Sequence, residues 1–551
     1  MTRLEDALSL RVGISLLALA FLGLFLLYPL WFVLQASLWD ELTGRFTLAL
    51  YAQILSSRYY LGSLGNSLGA GAMSMVLTAL IGVPLAFCLA RVAVPGKPVL
   101  LTLASMPLVL PSFVSAYALI LLFGHAGIVT AALRAAGVPV GSVYGMPGVV
   151  IVYTLTLYPY VLLPTLAGFQ AVDVSIEEAA RNLGASRWHA FRTVLLLVVL
   201  PSVLAGALLV FIEALENFGV PAVLAEDRPF LALDILKSFV GESDRNSALA
   251  GALSVLLVGC SVAVLLLQRR YLGRRRFTTN ARRAPPMIAV SRRWRLVAAV
   301  FCWAVVLLSL LPFGAVVVIS FLHFRGPVLS WQFGLGNYGA LLKGSYRALY
   351  NTLLLASLTA AAATVLGAPI GYVLARYRTR LSTVLDAVAT IPFAISGTVL
   401  GIGLIVAFNA GPLVLTGGWL ILVVAYTVRK LPFSVRSASA IVQQIDPSLE
   451  EASINLGVSP LMTFLTLTVP LMAGGVFGGM VLVWVTATAE LSSTIVLYSS
   501  RWLTMTVLMF QSLEGTAPGE AAAAASILIL FTAVPLLLAY RLLRRHDGPF
   551  R

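Results

Sequence analysis

Apolar runs of more than 18 residues recur along the whole of this 551-residue sequence, and that one feature leaves few folds open. A bilayer core about 30 Å thick is crossed by roughly 20 helical residues. Only 11% of the residues are charged and 60% are apolar, so the chain lacks the charged surface that disperses a soluble protein of its size. The alternating segments of about ten residues that build a membrane β-barrel are absent. Helices satisfy their own backbone groups in lipid, which makes the fold class an all-α polytopic membrane protein. Spans are read near 12–37, 62–90, 98–123, 146–169, 193–218 and 247–268. A second set follows near 295–321, 348–375, 385–409, 417–441, 463–490 and 521–541, about 12 in total. The first run, Val12 to Ala36, is too long for the core of a secretion signal and has no small-residue cleavage pattern, so it counts as a span.

The net charge of +15 raises the question of nucleic acid, but the placement of the charges answers it. Lys and Arg fall mostly in short segments between spans, where they set orientation. With the N-terminus in the cytoplasm, 27 of the 37 basic residues lie on the inner side, and both termini are cytoplasmic. Ten arginines between Arg269 and Arg295 mark an inner linker, over 269–294, between two halves at 1–268 and 295–551. Its role beyond topology, including contact with anionic lipid, stays open. The acidic residues Glu226, Asp227, Asp234, Glu242 and Asp244 fall outside. Cys88, Cys260 and Cys302 show neither CxxC nor paired spacing, and the four histidines cluster with nothing, so no disulfide framework or metal site is implied.

The two halves repeat each other. Asn66-Ser67-Leu68 and Asn351-Thr352-Leu353 open matching spans that end on Arg91 and Arg376. Gly82, Pro84 and Pro107 match Gly367, Pro369 and Pro392 at the same offset of 285. Beyond a longer outer loop near Ala126 to Tyr144, the offset becomes 273, pairing Tyr153 with Tyr426, Pro159 with Pro432, and Glu178 with Glu451. Both halves keep one orientation, which predicts a parallel duplication. The paired prolines are read as kinks.

The best-matched stretch lies on the cytoplasmic side, in loops at about 173–192 and 446–465. Ser175 with Glu178, and Ser448 with Glu451, have capping-box spacing and predict a helix start. Gly184 and Gly457 suit the left-handed residue that ends such a helix. Ser186, and Ser459 before Pro460, suit the start of the next. Small residues at Ala179, Ala180, Ala452 and Ser453 let another protein approach closely. A plainer reading, two well-capped interfacial helices, does not account for two copies in one register, each just before the fifth span of its half.

Glu178-Ala179-Ala180 with Gly184, and Glu451-Ala452-Ser453 with Gly457, resemble the EAA loop of binding-protein-dependent ABC importer permeases. The second copy departs at Ser453. The Pro often found 13 residues after the Gly is present as Pro470, whereas the first half has Leu197 there and Pro201 four residues later. The resemblance implies a type I importer permease with its two halves fused. It makes Glu177, Glu178, Ala179, Ala180, Gly184, Glu450, Glu451, Ala452, Ser453 and Gly457 the residues that couple to two copies of an ATPase subunit. It further implies a periplasmic solute-binding protein as partner and a bacterial inner membrane as location. The chain would bind no cofactor, with ATP and Mg held by the ATPase partners. No G-x-x-x-x-G-K-[ST] occurs in the sequence; Gly96-Lys97 is followed by Pro98.

Ionisable residues inside spans point to a pathway by default. Glu213, Glu216, Asn217 and Glu490 lie near the outer ends of matching spans, and either a solute gate or structural pairing fits them. Arg429 and Lys430 stand where the first half has Thr156 and Leu157, and suit an anionic or anion-complexed solute; Arg436 is expected to reach the inner surface. Segments Ala214–Leu224, Gly397–Gly403 and Ala489–Leu497 look most like the ferric-iron branch, with thiamine and 2-aminoethylphosphonate permeases as alternatives. A proton-coupled secondary transporter would share twelve spans but would have no use for the paired loops. A membrane enzyme would need reactive groups at one depth, and the sequence offers no such constellation.

Overall fold

The computed structural model describes residues 2–39, 45–108, 111–125, 127–139, 141–172, 178–180, 182–186, 189, 191–225, 228–241, 246–273, 287, 290–325, 328–514 and 517–546. In chain order the main helices are α1 (Arg11–Leu38), α2 (Arg58–Arg91), α3 (Ser112–Phe123), α4 (Met146–Gln170), α5 (Phe191–Glu216), α6 (Ser247–Gln268), α7 (Arg292–Ser320) and α8 (Gly336–Arg376). Then come α9 (Arg380–Ala394) and α10 (Gly397–Phe408), bent against each other by 108°. They are followed by α11 (Trp419–Val442), a short α12 (Pro447–Asn455), α13 (Pro460–Thr488) and α14 (Pro518–Leu536). Counting the stretch Ser112–Ala135 that α3 opens, ten helices among the described residues are long and apolar enough to cross a bilayer, and the bent pair makes eleven. Helix α11 is 24 residues long but carries Arg429, Lys430 and Arg436. With it the set reaches the twelve spans expected. A hairpin, β1 (Leu322–Arg325) with β2 (Val328–Phe333), follows α7.

The third span of each repeat is broken rather than kinked. Lys97–Leu108 ends on a 3-10 turn containing Pro107, and α3 starts anew at Ser112. In the second repeat Pro392 lies in the 3-10 turn Ile391–Ala394 that ends α9. Proline removes a backbone donor and clashes with the preceding turn, so it stops these helices. Pro159 and Pro432, in contrast, stay inside α4 and α11.

Helix packing in lipid depends on small residues that let backbones close up, and the same contacts recur in both repeats. A Cβ on Gly82 of α2 would meet Val161 of α4 at 3.1 Å, and one on Gly367 of α8 would meet Ser434 of α11 at 2.5 Å. Gly206 of α5 sits against the carbonyl of Tyr160, 2.3 Å from where its Cβ would be. The matching Gly479 of α13 sits against Ser437 of α11. Each repeat thus holds a three-helix core, α2–α4–α5 in one and α8–α11–α13 in the other.

The compact units do not follow the sequence repeat. One unit takes in Tyr51–Asp234 and Leu256–Ile319; the other takes in Met1–Leu50, Ile235–Val255 and Ser320–Arg551. The first span of each repeat therefore packs with the other repeat. Trp303 of α7 donates to the carbonyl of Pro95 at 3.3 Å, and Ser309 lies 3.3 Å from the Tyr158 hydroxyl on α4. Ala299, Cys302 and Val306 of α7 belong to the core around α2 and α4. In the other unit, the rings of Phe25 and Tyr28 on α1 pack on Phe408 of α10, and Gly403 sits against the carbonyl of Pro29. An apolar helix carries no label for its neighbour, so this exchange is set by shape and not by order in the chain.

Because overpacking a close contact costs about 1–3 kcal/mol, Gly206→Ala is expected to lower the melting temperature in detergent. Gly69→Ala, where nothing lies within 4 Å of the added methyl, is expected to leave it unchanged or raise it slightly.

Candidate functional site

The second cytoplasmic loop begins at Asp446, whose side chain accepts from the N–H of Ser448 at 3.0 Å and caps α12. The capping box expected from Ser448 and Glu451 is therefore replaced by an earlier cap. Pro447 explains the shift, since its fixed φ and missing N–H suit the first helical position. The hydrogen bond from Ser448 holds the Asp446 carboxyl below its ordinary range.

The ends of both loop helices match. Gly184 and Gly457 adopt φ of 86° and 102°. The N–H after each glycine reaches back five residues, Ala185 to Ala180 at 3.1 Å and Val458 to Ser453 at 3.2 Å, which closes the helix with its glycine in the left-handed region. Ser186 then accepts from His189 N–H at 3.2 Å, and Ser459 from Met462 N–H at 3.4 Å. Each loop enters its span through a π-helical turn at matching positions, Phe191–Leu195 and Phe464–Thr468.

The two glutamates of the second loop face opposite ways. Glu451 and Ala452 are exposed, while Glu450 is buried. Arg376, the last residue of α8, donates to Glu450 Oε1 from Nε at 3.1 Å and from Nη2 at 3.0 Å. Nη2 also reaches the carbonyl of Ile445 at 2.9 Å, and the Tyr372 hydroxyl donates to Glu450 Oε2 at 3.0 Å. Glu450 is thus an anchor that ties the loop to α8. Reading the sequence missed Arg376 and Tyr372 as site residues, although Arg91 and Arg376 had marked themselves as a repeated pair. Arg91 is likewise buried at the end of α2. Glu177, the match of Glu450, lies outside the described residues.

In the first loop, Glu178 and Ala179 are exposed and Ala180 is half-buried, as are their matches Glu451, Ala452 and Ser453. Ser453 is also hydrogen-bonded to Thr463 at 3.0 Å, which braces α12 on the start of α13. Beside these residues stand two exposed leucines, Leu183 at 89% and Leu456 at 86%. Their equal exposure at the 273 offset is a further repeated feature of the loop surface.

Inside the span region, Arg429 and Lys430 on α11 both reach Glu490, just past the end of α13. Arg429 Nη1 pairs with Oε1, and Lys430 Nζ lies 2.8 Å from Oε2. Glu490 Oε1 also accepts from the N–H and the hydroxyl of Ser493, each at 3.2 Å. The other repeat has the same local turn without charge. Asn217 Oδ1 accepts from Val220 N–H at 3.0 Å, and its Nδ2 donates to Ser112 at 2.8 Å. Glu216 is buried and Glu213 half-buried on α5. Arg436 is half-exposed, 2.9 Å from Asp386 and 2.8 Å from the Thr390 hydroxyl.

The family described as "Binding-protein-dependent transport system inner membrane component" matches this chain twice, over residues 79–278 and 367–548. The chain belongs to that family. A member of it is a permease, a transport subunit of the inner membrane that works with a solute-binding protein. Among curated relatives of this permease, the "Ferric transport system permease protein FbpB" of Actinobacillus pleuropneumoniae is 26% identical over 94% of this chain and 76% of its own length. The "Putative ferric transport system permease protein FbpB 1" of Haemophilus influenzae is 27% identical, over 86% and 76%. The "Probable ABC transporter permease protein y4fN" of Sinorhizobium fredii is 30% identical, over 86% and 85%.

Removing one partner of a buried, hydrogen-bonded ion pair costs about 3–5 kcal/mol, whereas removing both costs far less. Arg376→Met alone is therefore expected to raise hydrogen exchange in α12 and to abolish ATP-driven uptake while the permease still inserts. Adding Glu450→Gln is expected to recover part of the protection.

Proposed function

We propose that this permease carries ferric iron from a periplasmic binding protein into the cytoplasm, driven by two partner ATPase subunits that seat on the two loops. The observation that carries this reading is the paired loop itself: a helix closed by a left-handed glycine and a serine cap on the helix that follows, with the same exposed edge in both copies. The ferric assignment rests on relatives named as ferric transport permeases that cover most of the chain. With no phosphate-loop motif in its sequence, the permease takes its energy from those subunits. ATP binding draws the ATPase pair together, the loops follow, and the spans rock between inward-facing and outward-facing states. Both termini and the Arg-rich linker stay in the cytoplasm in this scheme.

Glu178, Ala179 and Leu183 in one loop, and Glu451, Ala452 and Leu456 in the other, form the docking edge. The leucines are the apolar plugs. Burying one stabilises a complex by about 1.5–3 kcal/mol, or roughly tenfold or more in affinity. Leu183→Asp with Leu456→Asp is expected to lose at least a hundredfold in ATPase affinity, read as loss of co-purification with insertion intact. Charge reversal at Glu178 and Glu451 together is expected to uncouple uptake; unimpaired uptake in that variant refutes the docking role.

The solute is tested in proteoliposomes holding the permease, its ATPase and the binding protein. Ferric-loaded binding protein is expected to stimulate ATP hydrolysis and drive iron uptake. Stimulation by thiamine or a phosphonate, with none by ferric ion, overturns the iron assignment.

A further inference from the structure

We infer that Asn351 and Thr352 are positioning residues for transport: they clip α8 to the segment that follows α13, so that one helix joins that segment to the cytoplasmic loop. The role rests on the importer reading above and extends it to residues outside the loops.

Asn66-Ser67 and Asn351-Thr352 open the repeat in the sequence, and the structure puts both pairs to one use. A short helix follows the fifth span of each repeat, Leu231–Val240 in one and Met505–Glu514 in the other. The first N–H of each donates to a hydroxyl on the second span, Leu231 to Ser67 and Met505 to Thr352, both at 2.9 Å. The N–H groups that start a helix have no acceptor within it, so each hydroxyl caps a helix to which it does not belong. Beside it the asparagine amide donates to the carbonyl two residues before that helix. Asn66 reaches Pro229 at 3.0 Å, and Asn351 reaches Leu503 at 2.9 Å. Asn351 also donates to the carbonyl of Arg501 at 3.0 Å.

The surroundings of the two clips differ, which singles out the shared part. Tyr59 and Ser63 donate to Asp234 at 2.9 and 2.5 Å in the first repeat, whereas Gly344 and Ala348 stand at the matching sites of the second. Only the asparagine and the hydroxyl residue recur. Ser67, Asn351 and Thr352 are buried, and buried polar groups are kept where they are hydrogen-bonded.

Helix α8 is held at its other end as well. Arg376, 25 positions after Asn351, grips Glu450 and the carbonyl of Ile445 in the cytoplasmic loop. That separation is roughly 37 Å at 1.5 Å per residue. The non-helical residue of α8, Ser345, falls before this stretch, and Pro369 falls within it without ending the helix. Next to the clip, the Thr506 hydroxyl donates to the carbonyl of Glu490 at 2.9 Å. The second span thus reaches the turn that closes α13 at one end and the loop at the other. Packed helices with hydrogen bonds at both ends are what carries coupling between distant sites. In the other repeat α2 bears the same clip and ends on the buried Arg91.

The test uses the permease with its ATPase and binding protein in proteoliposomes, and compares ATP hydrolysis with and without the loaded binding protein. Thr352→Val removes the cap at constant shape, and Asn351→Ala removes the amide. Both are expected to keep ATPase co-purification and unstimulated hydrolysis while stimulation and uptake fall at least tenfold; Thr352→Ser is expected to keep both. Stimulation undiminished in the Val and Ala variants overturns the inference, as does an equal fall in stimulated and unstimulated hydrolysis, which marks a purely structural role. Should neither variant fold, hydrogen exchange in the unaltered complex decides. Closing the ATPase pair with a non-hydrolysable ATP analogue is expected to change exchange at least tenfold in the peptide that contains Met505, and unchanged exchange there overturns the role. Absence of stimulation in the unaltered complex refutes the importer reading itself, and the inference falls with it.

Discussion

In the core of a bilayer, a backbone group or charge that lacks a partner has no water to turn to, and this condition shapes every part of the permease. It makes the described residues mostly helical, with the hairpin of β1 and β2 as their two strands. It also removes the ordinary hydrophobic drive for helices to associate, since lipid tails are as apolar as leucine. Close backbone approach takes over that task. Glycines at matching places in both repeats let three helices close on one another, and the rest of each unit is assembled around that core.

The same condition made much of the fold legible from sequence. Length and apolarity sufficed for most of the spans, and the stretch 417–441 was read as a helix close to the bounds of α11 despite its three basic residues. Left-handed Gly184 and Gly457 and the caps at Ser186 and Ser459 could be read from local chemistry. Three features could not. The pairing of Arg376 with Glu450 joins residues 74 apart, and no local rule brings them together. The cap at Asp446 in place of Ser448 turned on a single proline. The exchange of α1 and α7 was invisible because one apolar helix resembles another until its shape meets a partner.

The two repeats share a scaffold but not a charge pattern. Asn217 and Glu490 perform the same local duty, closing a turn after the fifth span, yet only the second is ionised and flanked by cations. The two copies thus share one architecture and differ in the side chains that close this turn. The cytoplasmic loops show the opposite trend. Their second caps at Ser186 and Ser459, their glycines and their exposed leucines stay in register.

The exchange of first spans leaves the polypeptide without a seam along which it parts into its two repeats. Severing the backbone after Gly273 would not release either one, because each compact unit keeps a helix encoded on the far side of the cut. During synthesis the first repeat stays short of α7 until the ribosome has passed residue 320, and α1 waits in turn for α10. A single continuous chain fixes that trade at one for one and guarantees that every helix emerging early finds its counterpart from the same molecule.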